Sequence, residues 1–342
     1  MDLSILDKYT KVLPCHLSEN GAVCPIQMVN KPENLENDLE STYNNEEKEE
    51  HEFLNIVSAG INEQSSNSIS WVSHHTAKDR DNSDDTQPIV ASLPLISHYS
   101  NHIDLQAHIM RIAMDCTRYL KSGQGKALCC SDQPLYALKK KLQWAYPNEF
   151  SKDFFFAFLG GLHIEQLLLK MNGDLVKGTG MEKIIKNAGL SYVGLGTAFT
   201  DVSDIKKSRY TIQVVLACLY KMFKDAHLES GTELDLAKWA RSQDNCMFKY
   251  WYNIMLFQIN ILLFVRSLRE NNLMLFISSM KKAVPLSFAL DHTHYSRWLP
   301  VFIQDLEMLT VEDEDLFQLL KDNFTVKTTD AKFSKIAFDH KH

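Results

Sequence analysis

The stretch "SDQPLYALKKKLQWAYP", residues 131–147, decides how the rest of the chain is read. It follows a short apolar run, KALCCS (126–131), and opens an amphipathic segment with Pro134 in its first turn. Proline suits that position because its fixed φ is already helical and its missing N–H has no partner there to lose. A buried strand running into a helix is therefore expected, with Asp132 at the junction. Two readings of Asp132 stay open: it caps the helix by accepting its first N–H groups, or it presents a carboxylate at the C-terminal edge of a sheet, where α/β folds keep their chemistry.

Working outward, residues 103–121 carry apolar positions at helical spacing, DFFFAFLGG (153–161) reads as a second buried strand, and LHIEQLLLKMNG (162–173) reads as another helix. The order strand, helix, strand, helix favours a parallel sheet covered by helices. His163 and Glu165 then fall just past the second strand, on the same rim as Asp132. Each also has a structural explanation, His163 as a histidine at a helix start and Glu165 as an acid favoured by the helix dipole.

Beyond Gly180 the pattern is helical, with segments expected at 181–188, 208–227, 232–242, 246–269, 271–283, 295–309 and 313–322. No fixed-period repeat is present, which argues against a solenoid. Upstream, residues 31–52 and 61–88 are polar and acidic and read as loops or disordered segments, with Trp71 the anchor of a short apolar piece. Four regions are expected: an acidic, largely irregular arm (1–90), an α/β core segment (91–180), a helical block (181–325) and a tail (326–342) that would be a truncated final core strand. The expected fold class is thus α/β but helix-dominated.

Of 342 residues, 45% are hydrophobic, enough for one large core or two smaller ones. The net charge of −7 divides into −11 over residues 1–90 and +4 over the remainder. The globular part is mildly basic, which keeps nucleic acid open as a partner. Seven cysteines without a CxxC pair point to neither a disulfide framework nor a zinc knuckle, and hence to a reducing compartment, nuclear or cytoplasmic. The first residues have the form of neither a signal nor a transit peptide. YWYNIMLFQINILLFV (250–265) is shorter than a membrane span requires and carries Asn253, Gln258 and Asn260, so it reads as a core helix. No Walker A loop, G-x-S-x-G or G-x-G-x-x-G occurs, and the Gly pair of GGLH reads as a turn.

Two resemblances bear on function. The run 131–170 resembles the middle of the RNase H-like core of Mutator-type transposases, in which an acid ends a strand and a following strand leads to a histidine. LPLISHYS, SDQPLYALKKKLQWAYP, FLGGLHIEQ, the long block LFVRSLRENN…FIQDLEML and FSKIAFDH together resemble a family of transposon-like open reading frames carrying a domain of unknown function. This second resemblance runs from about residue 69 to the C-terminus, while the transposase resemblance implies a partial RNase H-like core with a large all-helical insertion. It also implies that Asp132 is the second of three acids holding two Mg²⁺ or Mn²⁺ ions for attack on a phosphodiester, carboxylates being the hard ligands these ions prefer. The family's first acid lies upstream of the block with which this chain begins, and its final His-Glu motif downstream of FSKIAFDH, leaving Asp339 at the margin of the trio.

Glu270, in FVRSLRENN, is the alternative third acid, or else a glutamate paired with Arg266 and Arg269. In ALDHTHYSRWLPVF, Arg297 is a candidate phosphate contact and Trp298 or Tyr295 a candidate base-stacking group. The competing reading is a packing network with Asp291 as N-cap. His98 and His102 have metal-ligand spacing without a third ligand nearby. The basic runs Lys139–Lys141 and Lys206, Lys207, Arg209 read as solvated faces that would serve DNA only if folding gathers them. The leading expectation is a transposon-derived, catalytically incomplete protein that contacts DNA, with no membrane and no small-molecule cofactor. The alternatives are an active metal-dependent strand-cleaving enzyme using Asp132, Glu165 and Glu270, with Asp291 as a further acid, and a non-catalytic helical interaction module.

Overall fold

The computed structural model describes residues 33–61, 69–78, 96, 99, 101–121, 125–190, 202–327, 329 and 331–339. His98, Cys15, Cys24 and most of the 61–88 segment lie outside them. Among the described residues the elements are α1 (Glu33–Gly60), α2 (Trp71–Ala77), α3 (Ile103–Leu120), β1 (Ala127–Ser131), α4 (Gln133–Ala145), β2 (Phe155–Leu159), α5 (Gly161–Val176), α6 (Met181–Asn187), α7 (Ile205–Glu229), α8 (Leu236–Ser242), α9 (Cys246–Glu270), α10 (Leu273–Ala289), α11 (Thr293–Glu312) and α12 (Glu314–Asn323). The fold is helix-dominated, with one two-stranded parallel sheet.

The chain divides into two compact units, one comprising the described parts of 87–163 and 337–342, the other those of 31–86 and 164–336. The division falls inside α5, after His163. This differs from the expected boundary near residue 180.

In the first unit, β1 pairs with β2 in parallel, Ala127 opposite Phe155 and Ser131 opposite Leu159. Every residue of β2 is buried, the continuous apolar run that parallel strands show. α4 crosses between the strands. Its Gln143 side chain donates to the Phe155 carbonyl at 2.9 Å, tying the helix to the start of β2. Lys139 and Lys140 on α4 are each only 2% exposed, so this part of the basic run is not a solvated face. Lys139 Nζ lies 3.2 Å from Cys129 Sγ, while Lys141 remains exposed.

In the second unit the largest correction concerns residues 31–52. Residues 33–52 are not irregular but belong to α1, which runs for 28 residues. Leu35, Leu39 and Tyr43 recur every fourth residue and are buried, as are Phe53 and Leu54 a few turns on. The seam is one residue wide per turn, so mean composition hides it. α2 folds back on α1, with Trp71 buried and its Nε1 donating to Glu50 at 3.0 Å, while the Phe333 ring stacks on His75.

α9 is the one helix among the described residues long and apolar enough to cross a membrane, and 83% of its apolar window is buried within the protein. Two of its polar side chains donate inward, Gln258 to Asn172 at 3.0 Å and Asn260 to the Ser279 carbonyl at 3.1 Å, while their own side-chain oxygens are buried without a partner among the described residues. The tail is not a strand among the described residues; Val326 and Ile336 form a single antiparallel bridge.

Candidate functional site at the strand ends

Register places Asp132, which follows Ser131, across from Gly160, which follows Leu159; the Gly160 N–H donates to the Ser131 carbonyl at 2.8 Å. The C-terminal ends of both strands therefore form one rim, as the sequence implied for Asp132 and His163. Asp132 is the N-cap of α4, its Oδ1 accepting the Leu135 N–H at 3.2 Å. Both readings of this residue describe it: a strand-end carboxylate, one of whose oxygens is used as a cap.

The tail adds a second acid to this rim. Asp339 accepts the Leu162 N–H at 2.9 Å and the His163 N–H at 3.2 Å, and His163 Nδ1 lies 2.8 Å from Asp339 Oδ2. Burial pushes the Asp339 carboxyl upward, but hydrogen bonds from the His163 ring and from the Leu162 and His163 amides outweigh it, and the net shift is downward. An ionised Asp339 makes Nδ1 the donor and leaves Nε2 as the basic nitrogen of His163. Phe338, T-shaped against Phe158 at 6.2 Å, anchors the turn that delivers Asp339.

Gly160 has a different reason for being glycine than a turn. A Cβ there would lie 2.0 Å from Asp339 Oδ2, so only a bare Cα admits the carboxylate. Beneath the rim, burial and then the Asp339 and Cys129 charges push the Cys130 thiol well above its ordinary value. It is held as a thiol and is a poor nucleophile.

The remaining sequence candidates lie in the other compact unit, and arginines hold both acids. Glu165 is 2% exposed and takes Arg209 in a two-point fork, Nε to Oε1 and the terminal nitrogen to Oε2, each at 2.8 Å. Glu270 accepts from Arg266 Nε at 2.9 Å. Arg266 is fully buried and also pairs with Glu46, with Glu49 at 2.6 Å and with Glu50 at 3.7 Å. Burial opposes its charge, yet Glu270, Glu46 and Glu50 together raise its pKa above the ordinary value.

These partners make Glu165 and Glu270 poor ligands for Mg²⁺ or Mn²⁺, since each ion would have to displace a guanidinium. Among the described residues no group of three or more His, Cys, Asp or Glu side chains is placed to hold a metal. The residues present do not fit a two-metal centre.

At the start of α11, Arg297 is exposed but Trp298 is only 6% exposed, so its ring packs inside and is not available to stack on a base. Asp291 is not the N-cap. That position is His292, whose Nε2 lies 3.1 Å from Asp174, while Asp291 takes a left-handed backbone at φ 56°. His102 precedes α3 as its N-cap residue without a capping hydrogen bond.

Sequence reasoning read the Arg266–Glu270 pair, four residues apart, but missed the Asp339–His163 pair as a unit, Arg209 as the partner of Glu165 and Glu46 as a partner of Arg266. The partners are 176, 44 and about 220 residues apart, and no local pattern connects them. The only local signal was the Gly before Gly161, which a close approach explains as well as a turn.

A family model described as "Domain of unknown function (DUF8702)" matches residues 211–341, a span that includes Glu270, Arg297 and Asp339 but neither Asp132 nor His163. No curated protein and no solved structure matches the chain. Over that span the chain is similar to this domain, and the likeness assigns it no activity.

Proposed function

We propose that this is a transposon-derived protein whose β1–α4–β2–α5 segment is a partial RNase H-like core, that it is catalytically incomplete, and that its partner is DNA. The observation that carries the reading is the position of Asp132, at the C-terminal end of a strand in a parallel β–α–β–α order, where sheets of this kind hold their chemistry. Incompleteness is supported by what the other acids already do: Glu165 binds Arg209 and Glu270 binds Arg266, so neither offers a free carboxylate. Exposed Arg297 remains a candidate phosphate contact on the DNA side.

The test uses the full chain with supercoiled plasmid in Mg²⁺ and, separately, Mn²⁺. The expected result is no nicking above a metal-free control. Metal-dependent nicking that disappears in Asp132→Asn would overturn incompleteness. Duplex DNA should bind weakly at low salt and be released as salt rises; no binding at low salt removes DNA as the partner.

A further inference from the structure

Glu165 has two arginines to answer and only one carboxylate. α7 and α9 lie antiparallel within their unit. Phe223, in the second half of α7, meets Phe248 and Tyr252 near the start of α9 at centroid distances of 4.9 and 5.6 Å. The start of α7, with Arg209, accordingly lies by the end of α9, with Arg269, and both arginines interact electrostatically with Glu165.

Arg209 takes both Glu165 oxygens, leaving Arg269 without a carboxylate of its own. Arg269 is half-buried and forms no hydrogen bond or ion pair among the described residues. Burial first, and then the charge of Arg209, push its guanidinium below the ordinary value, with Glu165 opposing. Two guanidiniums against one carboxylate leave a surplus positive charge at a partly desolvated place. Such a charge is costly there unless an anion joins it. Exposed Lys206 stands about one turn before Arg209 and extends the positive field outward, while Lys207, two residues before Arg209, lies near Asp204 at 3.6 Å.

We infer that Arg269 and Arg209 form a binding site for an oxyanion of the phosphate class, in which Arg269 makes the forked contact and Arg209, fixed by Glu165, supplies the supporting charge. Guanidinium is the group suited to this, because its planar donors match two oxygens of a phosphate at once. The site does not depend on the transposase ancestry. A merely structural role for Arg269 also has a definite form: as a cation in the last turn of α9 it would interact with the helix's terminal carbonyls.

The experiment compares the full chain with Arg269→Gln in inorganic phosphate and in chloride at matched ionic strength, by calorimetric melting and titration. Phosphate should raise the melting temperature of the parent protein, and Arg269→Gln should lose most of that rise and bind phosphate roughly tenfold more weakly. In chloride, Arg269→Gln should melt at or above the parent temperature, because it removes an unanswered charge. Equal phosphate responses in the two proteins, or a loss in chloride as large as that in phosphate, would overturn the site in favour of the helix-end role. Should Arg269→Gln not fold, Arg269→Lys decides: it keeps the charge but not the fork, and undiminished phosphate affinity in it would also overturn the site.

A second arm uses a short duplex at low salt. If phosphate competes with the duplex and Arg269→Gln weakens both, the site takes backbone phosphates. If only inorganic phosphate is affected, it takes a small phosphoanion, and DNA binding stands or falls on its own test.

Discussion

Arg266 and Arg269 sit three residues apart on α9, yet their surroundings are opposite. Arg266 is fully buried among Glu46, Glu49, Glu50 and Glu270, an excess of acid around one base. Arg269 is half-buried beside Arg209, an excess of base around the single acid Glu165. The first arrangement is closed, since each nitrogen of the guanidinium has a partner within the chain. The second is left open, and an open charge is available to a ligand.

The largest effect is expected where the closed cluster is broken. Arg266→Met should lower stability by about 3–5 kcal/mol, because four carboxylates would remain around an apolar side chain. Denaturant unfolding near neutral pH measures this. A loss below about 1 kcal/mol would mean the cluster is not what holds α1 to α9.

Next comes Glu165→Gln, which frees Arg209 and leaves two guanidiniums without a carboxylate, at a cost of about 3 kcal/mol. Phosphate should restore stability in Glu165→Gln more than in the parent protein, whereas it should do nothing for Arg266→Met.

At the strand-end rim, Gly160→Ala and Asp339→Asn should each cost about 1–2 kcal/mol, the first by displacing the carboxylate, the second by removing its charge. The two should combine less than additively because they act on one contact. Asp339 has a folded pKa below its unfolded value, so its contribution is present above the unfolded pKa of about 4 and is lost as pH falls through the lower folded value. Acid unfolding of Asp339→Asn should therefore be flatter than that of the parent below about pH 4. The smallest effect belongs to Asp132→Ala, about 1 kcal/mol for loss of the α4 cap, with Asp132→Asn close to neutral because asparagine caps equally well. Equal losses in both would show that the Asp132 charge, rather than its cap, matters.

Much of the fold was legible because it is written locally. KALCCS and FFAFL are apolar runs bounded by turn residues, Asp132 and Pro134 open α4, and the helices from α7 to α12 follow apolar periodicity to within about four residues, except that α10 runs six residues past its expected end, through Pro285. α1 was not legible, because its surface is mostly polar and its apolar seam is a single residue per turn. Three of its glutamates face Arg266 rather than water, and nothing near residue 46 announces an arginine some 220 positions away. Lys139 failed for the reverse reason: a basic run suggested a solvated face, and packing against neighbouring elements buried it, while at Trp298 the packing reading holds and the stacking one does not.

The sequence by itself determined the strands and helices from α3 onward, though not α1, and that an acid stands at the end of β1, since backbone propensity, capping and proline geometry act over a few residues. Only the tertiary structure decided which carboxylate answers which cation. Glu165 goes to Arg209, Asp339 to His163, and Arg266 gathers four glutamates. Those pairings arise from charges that packing brings within a few ångströms and removes from water, and Coulomb's law takes no account of separation along the chain.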